Sequence, residues 1–260
     1  MFDHGPLLPS GQGRKVINPV PIETMQRYAF FCLFCAATFI ALLLFVVFGA
    51  SQSLIDEPLS LLSQSLKSGA ADRLMISTTM LADTTVSIIL MAASVLLLLV
   101  LRHWWLALHL AASFLAIRLA AVAVKVLAAR SRPSELFEGS DAFSFPSGHA
   151  SSAMALYGVL ALFLAANVSA LWRRSIILIF SIVIILVAFS RVYLLAHWPT
   201  DVLAGMFLSL SIITAFAWQL KQHPVTERWY APVMLLLTLL VNVVYHWQAL
   251  AVEMQRYSIA

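Results

Sequence analysis

The chain has 260 residues, 62% of them hydrophobic and only 11% charged, and its mean hydropathy is +0.92. A soluble domain carries about 45–50% apolar and about 25% charged residues, so a soluble globular protein, a disordered chain and a disulfide-built secreted module are all excluded. Several long apolar runs also exclude a single-span anchor and a porin-like barrel, which leaves an all-α integral membrane protein. Lys+Arg number 16 against 12 Asp+Glu. Each is individually informative, because a charge placed in lipid is costly and usually functional.

Runs of about 20 mostly apolar residues, the length that crosses a bilayer, fall at 28–50, 74–101, 104–126, 149–171, 175–192, 200–220 and 230–251. They divide the chain into an N-terminal segment (1–27), a six-helix membrane domain (28–220) and an additional transmembrane helix with a C-terminal tail (221–260). The first run reads as a retained anchor rather than a cleavable signal. Its Cys32 and Cys35 read as two small buried hydrophobes rather than a redox or metal pair.

Between the first two runs, Ile55, Leu59, Leu62 and Leu66 recur at helical spacing within residues 51–73. Asp56 and Glu57 before Pro58 suit a first helical turn. The segment is expected to be an amphipathic helix on the outer surface, either as an interfacial anchor or as one wall of a lipid gap. Trp104, Trp105, Trp172, Trp198, Trp218, Trp229 and Trp247 lie near expected helix ends, as in an aromatic belt.

With the N-terminus in the cytoplasm, Arg14, Lys15, Arg27, Arg102, Arg173, Arg174, Lys221 and Arg228 fall inside. Lys67, Arg73, Lys125, Arg130, Arg132, Arg191 and Arg256 fall outside. Four of the outer charges belong to a polar cluster, and without them the positive-inside rule favours this orientation.

That cluster comes from three stretches: KVLAARSRP (125–133), FPSGH (145–149) and SRVYLLAHWPTD (190–201). The topology puts all three at one face. Lys125, Arg132 and Arg191 supply positive charge suited to a tetrahedral oxyanion. Ser147 is a candidate N-cap, and Gly148 lets backbone N–H groups approach an anion at a helix start. Histidine can be nucleophile or acid/base near neutral pH, and His197 is followed four residues later by Asp201, placed to orient the ring. His149 has no sequence partner of that kind and suits a general acid. No carboxylate-rich metal cluster accompanies these residues, so neither metal nor cofactor is expected.

K-x6-R-P (Lys125, Arg132, Pro133), P-S-G-H (Pro146 to His149) and S-R-x5-H-x3-D (Ser190, Arg191, His197, Asp201) resemble the three-part signature of the type 2 phosphatidic acid phosphatase superfamily. The resemblance implies a six-helix phosphatidic-acid-phosphatase-type bundle, to which 230–251 adds a seventh helix. It implies that His197 attacks phosphorus to form a phosphohistidine, that Asp201 orients it, and that His149 protonates the leaving oxygen and later activates water. It also implies that Lys125, Arg132, Ser147, Gly148, Ser190 and Arg191 hold the phosphoryl oxygens without a metal.

Two charges lie outside the signature. Asp83 and Arg118 are both expected about 10–13 Å below the outer boundary at 1.5 Å per residue, as a buried pair supporting Lys125. Arg130 is either a contact for a second phosphate or lipid headgroup, or a solvated cation.

An active site at the membrane edge suits an amphiphile whose tail stays in lipid. The expected activity is metal-independent hydrolysis of a lipid-linked phosphate or diphosphate at the outer leaflet of a bacterial inner membrane. Undecaprenyl diphosphate is favoured over phosphatidylglycerol phosphate, phosphatidate and a lipid A phosphate. The alternatives are a lipid phosphotransferase using the same intermediate, and a non-catalytic transporter that binds headgroups. The partners are the substrate and membrane lipids, with no nucleic acid; oligomeric state is not written in the sequence.

Overall fold

The structure is a computed structural model and describes residues 22–49, 51–134, 143–166, 168–227 and 229–258. Its helices are α1 (Ile22–Val47), α2 (Glu57–Gln64), α3 (Gly69–Met80), α4 (Thr84–Val100), α5 (Trp104–Ala128), α6 (Gly148–Ala166), α7 (Ala170–Tyr193), α8 (Pro199–Gln222) and α9 (Tyr230–Ser258). One π-helical turn, Gln52–Asp56, leads into α2. Counting α3 and α4 as one broken span, seven helical stretches are long and apolar enough to cross a membrane. The chain is an all-α integral membrane protein.

Helix boundaries have local causes. Pro58 sits in the first turn of α2, where its missing N–H costs nothing. Ser68 caps α3 by accepting from the Ala71 N–H at 3.3 Å. The second span is not the continuous helix expected at 74–101. Asp83 leaves the helix, and its Oδ1 accepts from the Thr85 N–H at 2.7 Å. That N-cap satisfies an orphan donor and breaks the span at residues 81–83. Asp56, which suits a first helical turn in the sequence, is fully buried.

α6 and α8 are the most enclosed spans, and their crossing is close. At Gly205 a Cβ would sit 2.5 Å from Ser147 O and 2.8 Å from Ser151 Oγ. Ser151 Oγ donates across the crossing to Gly205 O (3.1 Å), and Ser209 Oγ to Ser151 O (3.0 Å). α1 is the opposite case: it lies along α8 with Phe30, Leu33 and Ile40 facing outward, so its apolar surface meets lipid. α9 packs on α3, α4 and α6, and its His246 Nε2 lies 2.8 Å from Ser77 O.

Successive spans alternate in direction. The α2 region, the end of α5, the start of α6, the α7–α8 turn and the end of α9 therefore share one end of the bundle. The other end holds Arg27, Arg102, Arg173, Arg174 and Lys221, together with a His103–Glu227 pair at 2.9 Å. That hydrogen bond from His103 holds the Glu227 carboxyl below its ordinary pKa.

Candidate active site

The three motif stretches are sewn together mainly through backbone. Ser144 N–H donates to Arg130 O (2.8 Å), and residues Ser131 and Phe143 form an isolated antiparallel bridge. Ser147 N–H donates to Asp201 O (2.9 Å), tying the start of α6 to the first turn of α8. The α7–α8 turn closes on itself as Ala196 and His197 N–H groups both donate to Arg191 O (3.0 and 3.1 Å). Lys125 Nζ donates to Phe143 O at 2.8 Å, and Trp198 Nε1 to Ser131 O at 3.0 Å. These bonds hold the loops that carry His149 and His197 against the end of α5.

The stretches enclose a polar cavity of about 220 Å³. Its wall includes Lys125, Arg132, His149, Arg191 and His197, with Gly148 at the α6 N-terminus. A Cβ at Gly148 would meet no protein atom within 4 Å, so that side of the helix start is open to a ligand. Asp83 and Arg118 also line the cavity, but they form no ion pair with each other. The expected pair is corrected: the Asp83 carboxylate is used as the α4 cap instead.

His197 is 2% exposed. Its Nδ1 lies 2.8 Å from Ser144 O, an atom that can only accept, so Nδ1 carries the proton. Nε2 faces Arg132 Nη1 at 3.1 Å, and a guanidinium can only donate. The ring is thus held with its Nε2 lone pair toward the cationic cavity. The same Arg132 group also donates to Ala196 O. Burial, reinforced by the charges of Arg132, Arg191 and Lys125, pushes the His197 pKa well below its ordinary value.

Asp201 does less for the ring than the sequence suggests. Its Oδ2 lies 3.7 Å from His197 Nδ1, beyond hydrogen-bond reach, and accepts instead from the Trp198 N–H at 2.9 Å. The direct acceptor for Nδ1–H is the Ser144 carbonyl, a group that no side-chain motif reveals. Asp201 Oδ1 receives Arg130 Nη1 at 2.6 Å, while Arg130 Nη2 reaches Asp56 Oδ2 at 2.5 Å. Arg130 also donates to Thr200 Oγ1 (2.8 Å), and Asp56 Oδ1 accepts from the Thr200 N–H (2.9 Å). Both expectations for Arg130 are therefore corrected. It is a largely covered bridge between two fully buried carboxylates, and it fastens the α2 region to the start of α8.

Two hydroxyls expected at phosphate are committed to backbone. Ser147 Oγ accepts from the Ala150 N–H at 3.4 Å, as the α6 cap. Ser190 Oγ donates to Val187 O at 2.7 Å and is fully buried. Arg191 contrasts with Arg130. It is 2% exposed, its Nη1 donates to two neutral hydroxyls, Thr79 Oγ1 (2.6 Å) and Tyr257 Oη (3.0 Å), and its Nε has no hydrogen-bond partner. Among the described residues it makes no ion pair. A buried guanidinium without a carboxylate is costly unless an anion joins it.

Residues 104–224 match the model of the PAP2 superfamily. Over that segment, just under half of its length, the chain is similar to that superfamily. It is 43% identical over 70 residues to phosphatidylglycerophosphatase B of Bacillus subtilis; the match takes in 26% of this chain and spans about a third (34%) of that protein's length. A crystal structure described as the first transmembrane PAP2 type phosphatidylglycerolphosphate phosphatase, from Bacillus subtilis, superposes with a TM-score of 0.65 at 26% identity. It covers 76% of this chain and 100% of that one. The PAP2 match holds all three motif stretches and both cavity histidines. Thr79, Asp83, Glu253, Arg256 and Tyr257 line or brace the same cavity from outside that match. Of these only Asp83 is expected from the sequence, as a buried charge; Thr79, Glu253, Arg256 and Tyr257 are missed because none stands near the signature in sequence.

Proposed function

We propose that this PAP2-like protein hydrolyses a lipid phosphate at the outer leaflet through a phosphohistidine on His197. The observation that carries the reading is Arg191, a buried guanidinium with no ion pair among the described residues, beside an imidazole whose Nε2 lone pair faces the same cavity. The substrate phosphate supplies the missing negative charge. Lys125, Arg132 and the Gly148 end of α6 complete the cradle.

His197 Nε2 attacks phosphorus as the phosphorus–oxygen bond to the lipid breaks, and His149 delivers a proton to the leaving oxygen. His149 then takes a proton from water, whose oxygen attacks the phosphohistidine. Phosphate leaves and Nε2 is regenerated. Ser144 O holds Nδ1–H throughout, so the ring keeps one tautomer while it is nucleophile and leaving group. The cations at the opposite end of the bundle support a cytoplasmic N-terminus and an outward-facing site.

Phosphatidylglycerol phosphate ranks ahead of undecaprenyl diphosphate as substrate, because both similar proteins are named for that reaction. The test is phosphate release by the purified chain in detergent, with a chelator present, from phosphatidylglycerol phosphate, phosphatidate and undecaprenyl diphosphate. Release from the first at the highest kcat/KM, abolished in His197→Ala, supports the reading. Binding of all three without release removes it.

A further inference from the structure

α9 lies outside the segment matched to the PAP2 superfamily, yet its last turns reach the phosphate cavity. Glu253, Arg256 and Tyr257 are part of the cavity wall. Tyr257 also packs on a small apolar cluster of Met75, Ile76, Tyr193 and Leu194, which fixes its ring beside the end of α7. Its hydroxyl accepts from Arg191 Nη1 at 3.0 Å. Thr79 of α3 accepts from the same nitrogen at 2.6 Å. One guanidinium nitrogen is thus held by two helices that the motif does not include.

Both holders are neutral. A carboxylate in either place would cancel the charge of Arg191 and compete with an anion. Two hydroxyls instead fix the direction of the guanidinium and leave its charge to the cavity. The buried Nε, with no protein partner, remains as a further donor.

We propose that Tyr257 is a positioning residue of the active site, which together with Thr79 aims Arg191 at the substrate phosphate. α9 is then a working part of the anion site rather than an accessory span. The inference rests on the reading of the cavity as a phosphate site, and binding can test it apart from turnover.

The experiment uses the full chain in detergent and inorganic vanadate, whose affinity is measured by calorimetry alongside phosphate release. Tyr257→Phe keeps the ring in its apolar cluster and removes only the hydroxyl. A hydrogen bond to a charged group is worth enough to change affinity about tenfold or more. Tyr257→Phe is therefore expected to weaken vanadate about tenfold, and Thr79→Val similarly, while Thr79→Ser restores nearly full affinity. In an Arg191→Gln background, Tyr257→Phe should add less than about twofold, because its target is gone. Unchanged vanadate affinity in both single variants overturns the proposal, as does an equal loss with and without Arg191. A wild-type chain that binds vanadate but releases no phosphate defeats the phosphatase reading alone, since the Tyr257 effect on binding is still measurable.

Discussion

Arg130→Gln separates a bridge from a phosphate ligand. Arg130 joins Asp56 and Asp201 at 2.5 and 2.6 Å, and both carboxylates have no exposed surface. Glutamine shortens the side chain and removes the charge, leaving two buried carboxylates facing one another. Breaking a buried ion pair by deleting one partner costs about 3–5 kcal/mol. At about 2–4 °C per kcal/mol for a chain of this size, the expected fall in Tm is on the order of 10 °C. Because Asp201 also holds the Trp198 N–H next to His197, kcat should fall at least about tenfold. Arg130→Lys should lie between, since an ammonium is a point charge and cannot fork to two carboxylates. The assay is thermal unfolding in detergent together with vanadate affinity. A contact to phosphate predicts the reverse pattern, weaker vanadate at unchanged Tm, and that result would refute the bridge.

Three further outcomes follow from the geometry. Gly205→Ala drives a methyl into Ser147 O, a backbone atom that cannot swing aside. Overpacking of this kind costs about 1–3 kcal/mol, so thermal unfolding should show a lower Tm and activity should drop as the α6 start shifts. Arg191→Gln should weaken vanadate about 10–100-fold, in keeping with charged hydrogen bonds of about 1.5–3 kcal/mol; an unchanged inhibition constant would show that the guanidinium does not meet the anion. The His197 pKa is lowered in the folded chain, so below its ordinary value near 6.5 the unfolded chain binds a proton that the folded one refuses. Stability therefore falls as pH drops below about 6.5. His197→Asn should show a smaller Tm difference between pH 7.5 and 5.5 than wild type, and an equal difference would contradict the buried neutral ring.

The seven spans are legible because bilayer thickness writes itself as apolar run length. The two histidines and Lys125, Arg132 and Arg191 are legible because polar groups crowd where lipid forbids them. Asp56 is not: it lies 74 residues from Arg130, and before Pro58 it reads as an ordinary first-turn acid. The break at Asp83 was open to reading, since Asp followed by two threonines is an N-cap pattern, but an apolar run on both sides masks it. Tyr257 falls past the expected helix end because Glu253, Gln255 and Arg256 end the apolar pattern, although the helix itself runs on to Ser258. The backbone acceptor of His197, Ser144 O, belongs to no side chain, so no residue type could announce it.

The central claim is the covalent bond between His197 and phosphorus. Purified chain mixed with lipid phosphate labelled in its phosphorus, then quenched in denaturant at high pH, should yield labelled protein that is stable to alkali and released by acid. The label should be absent in His197→Asn and should persist longer in His149→Gln, which slows the attack by water. Alkali-labile label, or full turnover with no label on the wild-type protein and undiminished turnover in His197→Asn, would contradict the account.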